Sequence, residues 1–209
     1  MSVEDKKVAL CQLMKELYAE KILTDIGGNV SFKDPATNSF WISPSGIKKD
    51  TVRPEQLFQL SLETGELLTK TEHLKPSVEW PMHLTIYQEQ PAISMILHTH
   101  APYATAYSIL ENPPVIPQLT LELHILVPEI LVVPYKPSGT KELGVAVGSY
   151  LQKSDIVILK NHGTVAITTK DDFVDTAIKT RALEEYLRMY SLAKMMGTDI
   201  TPFPGAGTY

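Results

Sequence analysis

Ile96-Leu97-His98-Thr99-His100-Ala101 is the most informative stretch of this chain. It closes an apolar run that reads as a strand over Ile93–Thr99. Side chains two apart on a strand point to the same face, so His98 and His100 can reach one ion together. Both come at the end of the strand and not in mid-core. A His-x-His pair alone is weak evidence, because solvated and core histidines produce it as well. A second stretch repeats the plan. Asp155–Lys160 is a buried-type strand that runs into Asn161-His162-Gly163, where the glycine lets the backbone turn directly after the histidine. Three neutral imidazoles at about 2.0–2.1 Å suit zinc, and three protein ligands leave one position open for chemistry.

Outward from these strands the chain alternates helices and strands irregularly. Val3–Leu23 reads as a helix, stopping near Asp25 where Gly27 and Gly28 free the backbone. Val30–Lys33, Phe40–Ser43 and Gln56–Leu62 read as strands, and Ser77–Gln88 as a helix with Ser77 as its N-cap. Pro102 opens a helix through Leu110. Ile130–Pro134 and Thr164–Thr168 are further strands, and Thr140 caps a helix running to Leu151. Asp171 caps the last helix, which presents Val174, Ile178, Ala182, Tyr186 and Ala193 as its apolar face and ends at Gly197. This mixture predicts one α/β or α+β domain over residues 1–197, with helices around a mostly antiparallel sheet. Residues 198–209 carry Pro202, Pro204, Gly205 and Gly207 and read as a mobile tail.

Composition bounds the function. The 209 residues suffice for one domain with a full core. The net charge of -5, with no Lys/Arg block, argues against nucleic acid and makes any anionic ligand depend on a local site. Cys11 is the single cysteine, which excludes an internal disulfide and a cysteine-rich zinc knuckle. No apolar run is long enough to span a bilayer, and Glu4, Asp5, Lys6 and Lys7 do not read as a signal peptide. The expected setting is the cytoplasm, without a membrane partner.

Other residues add to the histidines. Glu79 lies at the start of a helix, where the dipole alone would favour a carboxylate, and it is also the fourth metal-ligand candidate. His83, four residues later on the same face, reads as a packing residue behind the site, and His73 as a surface residue. Three polar segments, Gly27-Gly28-Asn29-Val30-Ser31, Ser43-Pro44-Ser45-Gly46 and Lys75-Pro76-Ser77, each offer backbone N–H groups with a hydroxyl or amide. They are either three ordinary turns or, if they converge, a phosphate cradle.

The ordered set Gly28-Asn29-Val30-Ser31, Ile42-Ser43-Pro44-Ser45-Gly46, Lys75-Pro76-Ser77-Val78-Glu79, His98-Thr99-His100 and Asn161-His162-Gly163 resembles the class II aldolase/adducin family. The fuculose-phosphate aldolase branch is the nearest, and Pro134-Tyr135 through Gly139-Thr140-Lys141-Glu142-Leu143 looks like the same branch. The resemblance implies a three-layer α/β/α domain with a mostly antiparallel central sheet, assembled as a homotetramer with active sites between subunits. It implies zinc, with another divalent transition metal as the alternative, on His98, His100, His162 and Glu79. Glu79 would double as the base, and Gly28, Asn29, Ser45, Gly46 and Ser77 would hold the phosphate. The implied reaction is reversible aldol cleavage of a ketose 1-phosphate to dihydroxyacetone phosphate and an aldehyde through a metal-stabilised enediolate.

Two positions depart from the branch. Val78 stands where a second serine is common. Pro117–His124 lacks the tyrosine that the fuculose enzyme brings from a neighbouring subunit, and offers Glu122 and His124 instead. Glu122 is therefore the candidate acid/base opposite the metal, against a reading as a surface carboxylate on an irregular segment; Tyr107 and Tyr209 are further candidates. A dehydratase of the methylthioribulose-1-phosphate type and a pentulose-phosphate 4-epimerase stay open on the same scaffold. A non-catalytic adducin-like module is disfavoured because all three histidines and Glu79 are present.

Overall fold

Alternation along the histidine strand sets the layers. In a computed structural model, which describes residues 1–69, 73–197 and 199–204, Met95 and Leu97 face one side of a sheet and Ile96 the other. Among the described residues the strands are β1 (Asn29–Asp34), β2 (Ser39–Ile42), β3 (Phe58–Ser61), β4 (Met95–Thr99), β5 (Val132–Val133), β6 (Ile156–Leu159) and β7 (Gly163–Thr168). They form one sheet in the order β3-β2-β1-β4-β7-β6-β5. Every neighbouring pair is antiparallel except β5 with β6.

The helices are α1 (Val3–Ala19), α2 (Trp80–Glu89), α3 (Pro102–Ser108), α4 (Leu121–Leu126), α5 (Lys141–Leu151) and α6 (Val174–Met195). Leu10, Met14, Ala104, Leu123, Leu183 and Tyr186 bring α1, α3, α4 and α6 onto Val30, Phe32, Leu97 and Ile158. On the opposite face Met82 and Ile86 of α2, with Leu143 and Val147 of α5, cover Ile42, Ile96, Val157 and Val165. Each face thus buries one apolar layer, which is the expected three-layer α/β/α domain with a mostly antiparallel sheet.

Several local expectations are corrected. The first helix ends at Ala19, before the glycines. Lys21 takes a left-handed φ of 63°, and the amides of Ile22 and Leu23 wrap back onto the Leu17 carbonyl at 2.9 and 3.1 Å. Ser77 does not cap α2. Its hydroxyl accepts the Glu79 amide at 3.3 Å, two residues on, so the chain turns once more and Glu79 becomes the N-cap position. Asp171 does not cap α6 either, because its carboxylate pairs with Lys6 and, at 3.1 Å, with the N-terminal ammonium. The buried face of α6 is Thr176, Ala177, Thr180, Leu183, Tyr186 and Leu187 together with Ala182, while Val174 is 58% exposed. The segment expected to be irregular contains α4, whose N-cap Thr120 accepts the Leu123 amide at 3.3 Å. In the expected tail, Phe203 donates its amide to the Gln118 carbonyl at 2.7 Å; residues 198 and 205–209, Tyr209 among them, lie outside the described residues. None of the described helices is long and apolar enough to cross a membrane.

Candidate active site

His98 is the fourth residue of β4 and shares the face of Ile96, so it points toward the α2–α5 layer and is fully buried there. It lies deeper than a strand end would put it. Its Nδ1 sits 2.8 Å from the Thr164 carbonyl on β7. A carbonyl can only accept, so Nδ1 carries the proton and Nε2 keeps its lone pair for a ligand. His100 lies just past the end of β4, and His162 in the turn between β6 and β7. The ligand nitrogens of the three histidines all fall within 4.8 Å of one another.

The turn at His162 differs from its sequence reading. Asn161 takes the left-handed φ of 58°, not Gly163. Gly163 is required for a different reason: a Cβ there would run into the Thr99 carbonyl, because β7 begins hard against β4. That close approach is what sets His162 beside His98.

Burial keeps the cluster neutral. It pushes His98 well below the usual histidine value, with the neighbouring imidazoles adding, and brings His100 down to about 4. His162 is also lowered by burial, an effect that Glu79 partly offsets. The Nε2 atoms of His98 and His100 face each other at 3.1 Å. Neutral rings whose lone pairs converge in this way are the donor set of a divalent zinc-like ion, so the residues present fit a metal.

Glu79 is 3% exposed, and its carboxylate lies 3.5 Å from His162 Nε2. It is held from the other side, accepting hydrogen bonds from the Ser138 hydroxyl and, at 2.9 Å, from the Gly139 amide. The close set of candidate ligand atoms is therefore that of the three histidines, with Glu79 beside one of them. Behind the cluster His83 is buried, with Nδ1 2.7 Å from the Ser31 hydroxyl. Burial holds it neutral, down to about 3.

The three polar turns do converge. The Val30 amide donates to the Ser43 hydroxyl at 3.2 Å, and the Ser45 and Ser77 amides donate to the carbonyls of Lys75 and Ser43 at 2.9 and 3.0 Å. Asn29 stands opposite His98 in the β1–β4 register, is 3% exposed, and its Oδ1 has no hydrogen-bond partner among the described residues. Gly28 has φ 83°, and a Cβ there would come within 2.9 Å of the His98 carbonyl. Gly28, Asn29, Ser45, Gly46, Ser77, Glu79 and the three histidines together line one open cavity of 430 Å³. Ser138 and Lys49 line it too, and neither was picked out as a site residue from sequence. Ser138 lies within the Pro134–Leu143 stretch, but only the fold brings it to Glu79. Glu122 is exposed on α4 and is not among the residues lining this cavity. Tyr107 donates its hydroxyl to the Pro114 carbonyl at 2.7 Å and does not line the cavity either.

With this fold and site described, comparison with known proteins gives the class. A family model described as "Class II Aldolase and Adducin N-terminal domain" matches residues 8–191. The chain belongs to the class II aldolase and adducin family, and falls among its metal-dependent lyases. Within that family the likeness is to the fuculose-phosphate branch. An L-fuculose phosphate aldolase of Methanococcus maripaludis is 35% identical over 190 residues, covering 91% of this chain and 96% of that protein. A solved L-fuculose 1-phosphate aldolase superposes with a TM-score of 0.82 at 28% identity, covering 95% of this chain and 91% of the other. A methylthioribulose-1-phosphate dehydratase of Saccharomyces cerevisiae is 38% identical over 101 residues, covering 48% of this chain and 41% of that protein.

Proposed function

We propose that this class II aldolase reversibly cleaves a fuculose-1-phosphate-like ketose 1-phosphate into dihydroxyacetone phosphate and an aldehyde, with zinc held by His98, His100 and His162. The observation that carries the reading is one cavity lined by three neutral imidazoles, a buried carboxylate and three donor-rich turns. Zinc, when bound, stabilises negative charge on the sugar's carbonyl and hydroxyl oxygens. The chain does the rest. Asn29, Ser45, Gly46 and Ser77, next to Gly28, bind the phosphate and fix the sugar between the turns and the histidines. In the synthetic direction Glu79 takes a proton from the carbon next to the carbonyl of dihydroxyacetone phosphate, and that carbon's electron pair attacks the aldehyde. The new alkoxide takes a proton from an acid on the far side. We assign that acid to Glu122 of a neighbouring subunit in a homotetramer, since Glu122 is exposed on α4 and away from its own chain's cavity.

A product assay on ketose 1-phosphates and pentulose 5-phosphates with zinc present tests the reading. Release of an aldehyde and dihydroxyacetone phosphate supports it. Release of water from a methylthioribulose-type phosphate would replace it with the dehydratase, the second reading, which the Saccharomyces relative and the absence of tyrosine from 117–124 favour. Glu122→Gln is expected to lower turnover by roughly 10²–10⁴ with zinc still bound. Unchanged turnover would return the proton to a tyrosine or to water.

The phosphate assignment makes its own demand. Asn29→Leu and Ser45→Ala should each weaken phosphorylated substrates by ~1.5–3 kcal/mol, the worth of a hydrogen bond to a charged group. Unphosphorylated analogues should change little. Equal losses of kcat/KM for both substrate types would mean that these turns are only structural.

A further inference from the structure

Lys49 is a charge without a counter-charge. It follows the Ser43–Gly46 turn, and its backbone amide is tied to the Asp25 carbonyl at 3.1 Å. Its side chain runs inward until the residue is 1% exposed, yet it lines the cavity. The ammonium has three N–H groups. The described residues give it one acceptor, the Pro44 carbonyl, at the long distance of 3.4 Å, and no carboxylate within ion-pair range. Its neighbour Lys48 shows the ordinary arrangement, half-exposed and paired with Asp50 at 3.2 Å. Removing an ammonium from water without a partner is costly and burial brings Lys49 down to about 8, so at neutral pH a bound anion would supply the missing counter-charge.

The surroundings say what that charge is. Glu79 is the one carboxylate lining the cavity among the described residues, and Ser138 and Gly139 already engage it. The other polar groups in the turns are neutral donors, and the chain as a whole carries -5. Lys49 is the one lysine or arginine lining the cavity among the described residues, and it lies next to the turn that carries Ser45 and Gly46. We propose that Lys49 is a substrate-binding residue whose ammonium pairs with the phosphate of the sugar and selects dianionic substrates, which rests on the reading that the cavity takes a phosphorylated sugar.

The test is calorimetric titration of the zinc-loaded protein with inorganic phosphate, beside thermal unfolding without phosphate, in wild type, Lys49→Met and Lys49→Arg. Lys49→Met should bind phosphate roughly 10–100-fold more weakly, keep its zinc, and unfold at a higher temperature than wild type, because an unpaired buried charge has been removed. Lys49→Arg should retain part of the affinity. A Lys49→Met protein that binds phosphate as wild type does would overturn the proposal. So would one that unfolds at a lower temperature, since Lys49 would then be holding the Pro44 turn. Wild-type protein that neither binds phosphate nor turns over any sugar phosphate would sink the underlying function along with it.

Discussion

Replacing His98, His100 or His162 by alanine is expected to give folded protein that no longer retains zinc and has lost turnover by roughly 10³-fold or more. Lewis-acid stabilisation is worth several kcal/mol at the transition state, and each 1.36 kcal/mol is a factor of ten. His100 and His162 are the cleaner sites, being half-buried and, among the described residues, making no side-chain hydrogen bond to the backbone. His98→Ala also leaves the Thr164 carbonyl without its donor, so it should lose some stability in addition. Metal content by elemental analysis, with circular dichroism to confirm folding, decides the matter. Stoichiometric zinc in all three variants would overturn the ligand assignment.

The second large effect belongs to Glu79. Glu79→Gln should keep most of the metal if the three histidines, whose ligand atoms cluster without Glu79, are its ligands. It should lose proton exchange at the carbon next to the carbonyl by roughly 10²–10⁴. Glutamine preserves the size of the side chain, and its carbonyl oxygen can still accept from the Gly139 amide while its NH2 donates to the Ser138 hydroxyl oxygen, so the loop is left in place while the basic oxygen is gone. Deuterium incorporation into dihydroxyacetone phosphate, followed without any aldehyde present, isolates this step from carbon–carbon bond formation. Exchange at the wild-type rate would remove Glu79 from the role of base.

The pairing of elements was legible where pattern and neighbours agree. Strands β1, β2, β4 and β7, and the helix capped by Thr140, stand close to their expected bounds because an apolar run and its turn residues point the same way there. The misplaced caps share one cause. Ser77 and Asp171 are both good capping residues, but each found a competing partner that spacing does not reveal: the Glu79 amide for one, Lys6 and the N-terminus for the other. Periodicity puts Val174 and Ile178 on the buried face of α6, whereas tertiary packing buries the neighbouring face with Ala177 and Leu183. In the site, the histidines could be read because strand alternation is rigid. Ser138 and Lys49 could not, since a serine in a Pro-Ser-Gly turn and the second of two adjacent lysines look like surface until the fold turns them inward.

The antiparallel neighbours of β4 have a kinetic meaning. His98 is bracketed by β1, which precedes α2 in the chain, and by β7, whose Thr164 hydroxyl meets Thr99 at 2.7 Å across 65 residues of sequence. Contacts of such separation close late, because loop entropy must be overcome before they contribute. The half-site on β4 is therefore made early by the ribosome and completed only after the β6–β7 hairpin has emerged and docked. Until then no pair of strands holds the three imidazoles together, so the three-histidine cluster is assembled only once that hairpin has docked and not in any earlier nascent intermediate.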